Sequence, residues 1–144
     1  MNSIQVKQEF NAPLETVFEL LSKHATYNQV FAPVQVERIK DAADPQRPDG
    51  VGSVRKMGIG PIKRLQEHIT LLDVNERIEY QIIKNPLIKH HLGIIEFKAI
   101  DASKTLVSYT IELQARAPFV SKLILAQLKL AITLGFKKLA KTLV

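Results

Sequence analysis

Residues 119–144, FVSKLILAQLKLAITLGFKKLAKTLV, decide the fold because they carry a long helical pattern of apolar side chains. A helix of about 25 residues is roughly 37 Å long, which is enough to cross a small domain. Projected at 100° per residue, one broad apolar stripe contains Ile124, Leu125, Leu128, Ile132, Phe136, Leu139 and Leu143. A second stripe contains Leu123, Leu130 and Leu134, and a helix that is apolar on two sides is expected to contact two partners.

The chain before this helix alternates polar and apolar residues in segments that are typical of β-strands. We predict strands at residues 3–10, 34–40, 51–59, 62–74, 77–83, 90–100 and 105–115. In the first strand Ile4, Val6 and Phe10 face inward, with an irregularity near Gln8. The connections between the later strands, such as the turn at Gly60, are short, and short connections indicate an antiparallel meander.

Two short helices are predicted between the first and second strands. Residues 14–22, LETVFELLS, follow a proline that suits the first turn of a helix, and Val17, Phe18 and Leu21 form its apolar stripe. A further helical turn is expected before Pro33. This order of elements predicts an α+β fold in which a curled sheet is covered on its concave face by the last helix.

The composition is that of an ordinary globular domain. The 144 residues are 46% hydrophobic and 24% charged, so we expect one domain over residues 1–144. The absence of cysteine excludes disulfides and fits a reducing compartment. The first residues lack the apolar core of a secretion signal, and no uninterrupted apolar stretch is long enough to cross a bilayer. We therefore expect a soluble, cytoplasmic protein.

The chain is basic, with 20 Lys and Arg against 14 acidic residues and a net charge of +6. Such a charge could attract anionic lipid or nucleic acid. However, the basic residues are scattered, and the aromatic stacking motifs of single-strand binders are missing from the sequence. Nucleic acid is therefore not expected as a partner.

Glu67 stands among apolar residues on the predicted fourth strand. Side chains alternate along a strand, so Leu65, Glu67, Ile69 and Leu71 share one face. Burying an unpaired carboxylate costs several kcal/mol. Either the strand leaves the core early, or the face that it lines is not a solid core.

The same alternation places further polar side chains on the inner face of the sheet. A largely apolar wall with a few placed polar groups is typical of a small-molecule site. We therefore predict a ligand cavity between the sheet and the last helix. Its predicted contact residues are Arg55, Met57, Glu67, Ile69, Tyr80, His91, Ile95, Phe97, Tyr109, Ile111, Leu128 and Ile132.

Each polar residue also has a purely structural interpretation. Arg55 and Glu67 could pair with each other on neighbouring strands, since buried charges are normally paired. The two tyrosines could be ordinary wall residues with a bonded hydroxyl. A shift of the strand register by one residue would turn His90 inward in place of His91.

The sequence predicts neither a metal site nor a cofactor. His90 and His91 are adjacent on a strand and point to opposite faces, while His24 and His68 have no histidine at chelating spacing. The sequence contains no nucleophile elbow, no Walker loop and no dinucleotide fingerprint.

Four segments and the last helix together resemble the helix-grip superfamily, which includes START domains, the birch-pollen allergen family and polyketide cyclase/dehydrase-like proteins. The segments are QVKQEFNAPLETVFELLSKHATYNQVF at 5–31, GVGSVR at 50–55, QEHITLLDVNERIEYQII at 66–83 and SYTIEL at 108–113. The resemblance implies a curved sheet of about seven antiparallel strands that grips the C-terminal helix around a hydrophobic cavity. Most members of this superfamily hold ligands, and a few branches catalyse cyclisation or dehydration.

Three functional hypotheses follow. The first is a carrier for a small hydrophobic or amphipathic ligand such as a lipid, fatty acid, quinone or polyketide, with Arg55 meeting an acidic head group. The second is a cyclase or dehydratase without metal or nucleotide cofactor, in which Glu67, His91 and a tyrosine move protons.

The third hypothesis concerns the second apolar stripe of the last helix. It lies beside Lys122, Lys129, Lys137 and Lys141, so the helix could rest on an anionic membrane as part of a lipid or quinone chaperone. The alternatives are packing against the loops and contact with a second subunit, and we expect a monomer or a weak homodimer.

Overall fold

A computed structural model describes residues 2–59 and 61–143, and of these every side chain except those of residues 62–64. The predicted turn residue Gly60 lies outside the described residues. A short 3₁₀ helix, His24–Thr26, follows the first α-helix. The main elements are β1 Asn2–Phe10, α1 Leu14–Leu21, α2 Tyr27–Val30, β2 Gln35–Lys40, β3 Val54–Ile59, β4 Ile62–Asp73, β5 Arg77–Ile83, β6 Ile88–Asp101, β7 Lys104–Ala115 and α3 Pro118–Lys141.

The strands form a single antiparallel sheet in the order β1-β7-β6-β5-β4-β3-β2. Strands β2 to β7 are a meander, because each pairs with the next along the chain, and β1 pairs with β7 at the other edge. α3 lies against the concave face, and α1 buries Val17, Phe18 and Leu21 against the same core. The predicted α+β helix-grip fold is confirmed.

The expected irregularity near Gln8 is wrong. β1 pairs with β7 in unbroken register from Asn2 to Phe10, and Gln8 lies opposite Val107. Its half-buried side chain is tolerated because the amide Nε2 donates a hydrogen bond to the backbone oxygen of Glu9, 2.9 Å away.

A register shift in β4 corrects the predicted face of Leu71. Ile69 pairs with Tyr80, but Leu71 pairs with Glu79 and Leu72 with Ile78. One additional residue in β4 therefore reverses the alternation after Ile69, as a β-bulge does. Leu72 consequently packs on the core in the place expected for Leu71.

The broad stripe of α3 faces the sheet, as predicted. Leu125, Ile132, Phe136 and Leu139 are buried, and the ring of Phe136 lies 5.7 Å from the ring centroid of Phe10. The second stripe is not covered by the loops. Its exposed fractions are 60% for Leu123, 61% for Leu130 and 57% for Leu134, and that of the neighbouring Phe119 is 76%.

By length and composition α3 could also cross a membrane, since its mean hydropathy over the most apolar window is 1.6. In the fold, however, its broad stripe is part of the main core cluster. The helix therefore has an inner face that packs in the domain and an outer face that is open to the surroundings.

α3 and α2 approach each other closely at Gly135. A Cβ atom added to this glycine would lie 2.2 Å from the carbonyl oxygen of Val30 and 2.9 Å from its carbonyl carbon. These are backbone atoms, so α2 would have to move as a unit to make room. The absence of a side chain at residue 135 thus sets the distance between the two helices.

The Gly135→Ala variant tests this contact. In an exposed helix the exchange would stabilise by about 1 kcal/mol. Here we expect a loss of about 1–3 kcal/mol in the free energy of unfolding, because the backbone contact at Val30 overpacks. Urea unfolding measures the change, with the exposed Gln127→Ala as the control that should shift stability by less than about 0.5 kcal/mol. A Gly135→Ala protein at least as stable as the wild type would contradict the argument.

Candidate ligand-binding site

A cavity of about 670 Å³ lies between the concave face of the sheet and the N-terminal half of α3. This volume falls within the range of sites for small organic molecules, roughly 300–1,000 Å³. The wall is mostly apolar and has contributions from five strands, α3 and two loops. It consists of Phe31, Val34, Met57, Gly58, Ile59, Leu65, Glu67, Tyr80, Ile82, Asn85, Ile88, His91, Ile111, Leu113, Ile124 and Leu128.

Half of the twelve predicted contact residues are in this wall. They are Met57, Glu67, Tyr80, His91, Ile111 and Leu128. The wall does not include Arg55, Ile69, Ile95, Phe97, Tyr109 and Ile132, which are nevertheless buried. Ligand contact remains a prediction for the first group, and for the second the structure offers a different role.

The second group lies where the concave face is filled by the protein itself. The ring of Phe97 packs edge-on against Phe18 of α1 at 5.0 Å, and the ring of Tyr109 lies 5.7 Å from Phe136 of α3. Ile132 is fully buried. The inner face of the sheet is longer than the cavity, so strand alternation identifies more residues than the ligand space can reach.

Sequence reasoning missed two kinds of wall residue. Leu65, Ile82 and Leu113 carry the alternation signal and could have been included. The loop residues Phe31 and Asn85 carry no periodic signal, so only the tertiary structure brings them to the cavity.

Glu67 is paired with Arg55 directly across β3 and β4. Nε and Nη2 of Arg55 donate to Oε1 of Glu67 over 2.9 and 2.8 Å. The guanidinium also lies over two aromatic faces, with its Cζ 4.7 Å from the ring centroid of Tyr27 and 4.8 Å from that of Tyr80. The carboxylate is therefore buried with a partner, which is one of the two interpretations that alternation left open.

Burial raises the pKa of the Glu67 carboxyl, and the neighbouring Arg55 only partly offsets this effect. For Arg55, burial works to lower the pKa, but the combined effect of Glu67, Tyr27, Tyr80 and Tyr109 outweighs it and the pKa is raised. The guanidinium thus remains charged, and its charge is directed at Glu67.

Two tyrosine hydroxyls meet beside the ion pair. The hydroxyl of Tyr80 is hydrogen-bonded to that of Tyr109, with the rings edge-to-face. Burial raises the pKa of both hydroxyls well above the ordinary value, so both stay protonated. One hydroxyl donates to the other. The accepting hydroxyl therefore keeps its own proton, which can be donated to a group outside the pair.

His91 is the inward histidine. Its Nδ1 accepts a hydrogen bond of 3.0 Å from the backbone N–H of Ile82, while His90 contacts Glu112 at 3.1 Å on the other face. Burial, followed by the effects of His90 and Arg55, lowers the pKa of His91 to about 4. The imidazole is therefore neutral near pH 7, with its proton on Nε2.

Within the described part of the chain, no three His, Asp or Glu side chains converge where they could hold a metal ion. The chemistry that the site offers is hydrogen bonding at one polar region of an apolar cavity. That region contains one carboxylate, one neutral imidazole and a pair of hydroxyls.

The protein has the ligand-binding fold of the START and Bet v 1-like superfamily. The chain belongs to the polyketide cyclase / dehydrase and lipid transport family, whose sequence profile matches residues 1–144. No curated protein sequence matches the chain.

Solved structures agree on the fold. The chain is similar to a START superfamily protein from Mycobacterium smegmatis, with a TM-score of 0.76, 14% identity and 99% of each chain covered. It is also similar to the Zhui aromatase/cyclase from Streptomyces sp. R1128, with a TM-score of 0.75, 17% identity and coverage of 97% of this chain and 93% of that one. A third similar structure is norcoclaurine synthase from Thalictrum flavum, with a TM-score of 0.70, 16% identity and coverage of 98% and 87%. At these identities the similarity establishes the fold alone.

The lowered pKa of His91 predicts a pH-dependent stability. Because the pKa lies below the ordinary 6.5, the neutral imidazole stabilises the fold above about pH 6.5, and this contribution is lost as pH falls toward 4. At pH 5 the loss is about 2 kcal/mol. The decrease in the free energy of unfolding between about pH 7.5 and pH 5 should therefore be smaller by that amount in His91→Gln.

Urea unfolding at the two pH values measures this difference. The pKa of His24 is likewise lowered to about 4, mainly by burial, but His24 is present in both proteins and its contribution cancels. An equal loss of stability in the wild type and His91→Gln would contradict the assignment of a neutral, buried His91.

Proposed function

We propose that this protein is a carrier that holds one small amphipathic molecule in the cavity between the sheet and α3. The observation that carries the proposal is the cavity itself, about 670 Å³ of mostly apolar space with its polar groups gathered at Glu67, Tyr80 and His91. An apolar molecule that enters this space removes apolar surface from water, so occupation by a ligand is favourable.

A cyclase or dehydratase is the alternative, and it would depend on Glu67 and His91 as proton-transfer groups. Proton transfer needs a group that is free to approach the substrate. Oε1 of Glu67 is engaged by Arg55, and Nδ1 of His91 is engaged by the backbone of β5. These bonds hold both side chains in place and leave Oε2 of Glu67 and Nε2 of His91 to orient a ligand, so the bonds alone do not favour proton transfer.

The Leu128→Trp variant tests the carrier function. Leu128 lines the cavity from α3, so an indole there occupies ligand space. We expect saturable binding of the neutral fluorescent probe N-phenyl-1-naphthylamine to the wild type and a loss of at least about tenfold in affinity in the variant. Fluorescence titration measures both affinities.

The matched control is Leu130→Trp, which places the same side chain two residues away on the exposed face of α3. It should bind the probe as the wild type does. Equal affinity in the two variants, or no saturable binding by the wild type, would refute a carrier function for this cavity.

A second candidate function is the exchange of the ligand with an anionic membrane through the outer face of α3. This face exposes Phe119, Leu123, Leu130 and Leu134. The helix contains five lysines, Lys122, Lys129, Lys137, Lys138 and Lys141, and no acidic residue. Exposed apolar side chains flanked by lysines are typical of helices that lie in the surface of an anionic bilayer.

The position of the cavity supports this second function. Leu87, which is 68% exposed, lies in the turn before β6, next to cavity residues Asn85 and Ile88. The backbone N–H of Arg116 donates to the carbonyl oxygen of Leu87 over 3.0 Å, which ties this turn to the start of α3. An apolar part of the cavity rim therefore adjoins the end of the exposed helix face.

Vesicle flotation tests membrane exchange. The wild type should float with vesicles of phosphatidylglycerol and phosphatidylcholine, less with phosphatidylcholine alone, and less at high salt because screening weakens the lysine contacts. Leu123→Gln/Leu130→Gln should reduce flotation by at least about fivefold. The control Val74→Gln/Ile100→Gln removes exposed apolar residues from the turn after β4 and from the end of β6, and should float normally. Equal flotation of both double variants would rule out docking through this face.

A further inference from the structure

The charge of Arg55 is not available to a ligand. Two of its nitrogens are bonded to Glu67, and the faces of Tyr27 and Tyr80 lie over its guanidinium. The side chain is 2% exposed and is not in the cavity wall. The cation lies behind the wall, and the ion pair as a whole is neutral.

Glu67, in contrast, is in the cavity wall. Both bonds from Arg55 go to Oε1, and Oε2 has no hydrogen bond with any residue that the structure describes. Among the described side chains, the atom that is closed off from solvent and lacks a hydrogen-bond partner is Nδ1 of His24, not Oε2 of Glu67. Oε2 is therefore reached by solvent. The oxygen is therefore an accessible acceptor in the cavity. A carboxylate oxygen only accepts hydrogen bonds, and its hydrogen bonds are stronger than those between neutral groups.

The neighbouring groups can complete a second hydrogen bond. Tyr80 is in the wall, and its hydroxyl pair with Tyr109 retains one hydroxyl proton. Nε2 of His91 carries a proton and has no partner among the described residues. A group that both donates and accepts a hydrogen bond, such as a hydroxyl, suits this combination of a carboxylate with neutral donors.

We propose that the polar end of the cavity selects an uncharged ligand with a hydroxyl group, an apolar alcohol or phenol, and discriminates against a carboxylate of the same size. This inference rests on the proposed carrier function and specifies its ligand class. It reverses the sequence-based expectation that Arg55 meets an acidic head group, because Glu67 already occupies that cation and presents its own negative charge to the ligand.

The physical reason is the low polarity of the cavity. A ligand carboxylate would lose its hydration and face Glu67 without a free cation, and such an unpaired buried charge is strongly unfavourable. A hydroxyl loses less hydration and regains its hydrogen bonds at Glu67 Oε2 and at the neutral donors. Discrimination therefore comes from repulsion of the wrong ligand as well as attraction of the right one.

Three probes of equal chain length separate these effects: 1-decanol, methyl decanoate and decanoate. Each is titrated against the wild type carrying N-phenyl-1-naphthylamine, at about pH 8, where the acid is ionised. We expect decanol to displace the probe best, the ester less well because it has no donor, and decanoate at least about tenfold less well than decanol.

Glu67→Gln should reverse the preference. The variant leaves the positive charge of Arg55 behind the wall without a compensating carboxylate, so that charge attracts an anion in the cavity and decanoate should bind better than decanol. The control is Glu112→Gln, which removes a carboxylate from the opposite face of the sheet, where Glu112 of β7 contacts His90. It should bind the three probes in the same order of affinity as the wild type. If Glu67→Gln does not fold, Arg55→Gln/Glu67→Gln, which has neither charge, should reduce the difference between decanol and decanoate.

The outcomes separate the two proposals. If N-phenyl-1-naphthylamine does not bind the wild type saturably, the carrier function is wrong and the ligand class is wrong with it. If the probe binds but decanoate displaces it as well as decanol does, the cavity is a carrier site and the proposed ligand class is wrong. The wild-type order alone decides the second question, even if neither variant folds.

Discussion

The contact between the broad apolar stripe of α3 and the concave face of the sheet is the interaction on which the rest of the structure depends. Toward the C-terminal end of the helix the contact is tight, since Phe136 meets two aromatic rings and Gly135 admits the backbone of α2. Toward the N-terminal end Ile124 and Leu128 border the cavity. Close packing at one end holds the helix in place and allows the other end to border space that the protein does not fill.

The buried ion pair lies at the boundary between these two parts. Removing two charges from water is expensive, and an apolar pair of similar size is often at least as stabilising as a buried salt bridge. The pair of Arg55 and Glu67 is therefore weak evidence for stability. The position of the pair explains its presence better, because one carboxylate oxygen remains in the cavity wall while the cation lies behind the wall. The pair fixes the polarity of the site.

α3 serves two environments with a single segment. Its inner face closes the core, and its outer face presents large apolar side chains between lysines. Both faces follow from the same helical repeat, so a change in helix length or register would move them together. The same helix therefore borders the cavity on one side and the surroundings on the other.

Much of the architecture is a local property of the sequence. Alternation in the strands, short connections and the helical repeat after Pro118 predict the seven strands, the short helices and the long helix. Alternation also places Glu67, Tyr80 and His91 on the inner face, since side-chain direction in a strand repeats every two residues. These features need no knowledge of which elements meet in space.

The remaining features depend on distances between elements that are far apart in the chain. Alternation fails after Ile69 because a bulge in β4 turns Leu72 inward, and a bulge arises from pairing with the neighbouring strand. Phe31 and Asn85 reach the cavity from loops that have no repeat. The sequence by itself determined which strand side chains face the helix, except beyond the bulge in β4. Only the tertiary structure decided where the interior is filled and that Arg55 is held by Glu67, because packing and charge pairing are relations between distant residues.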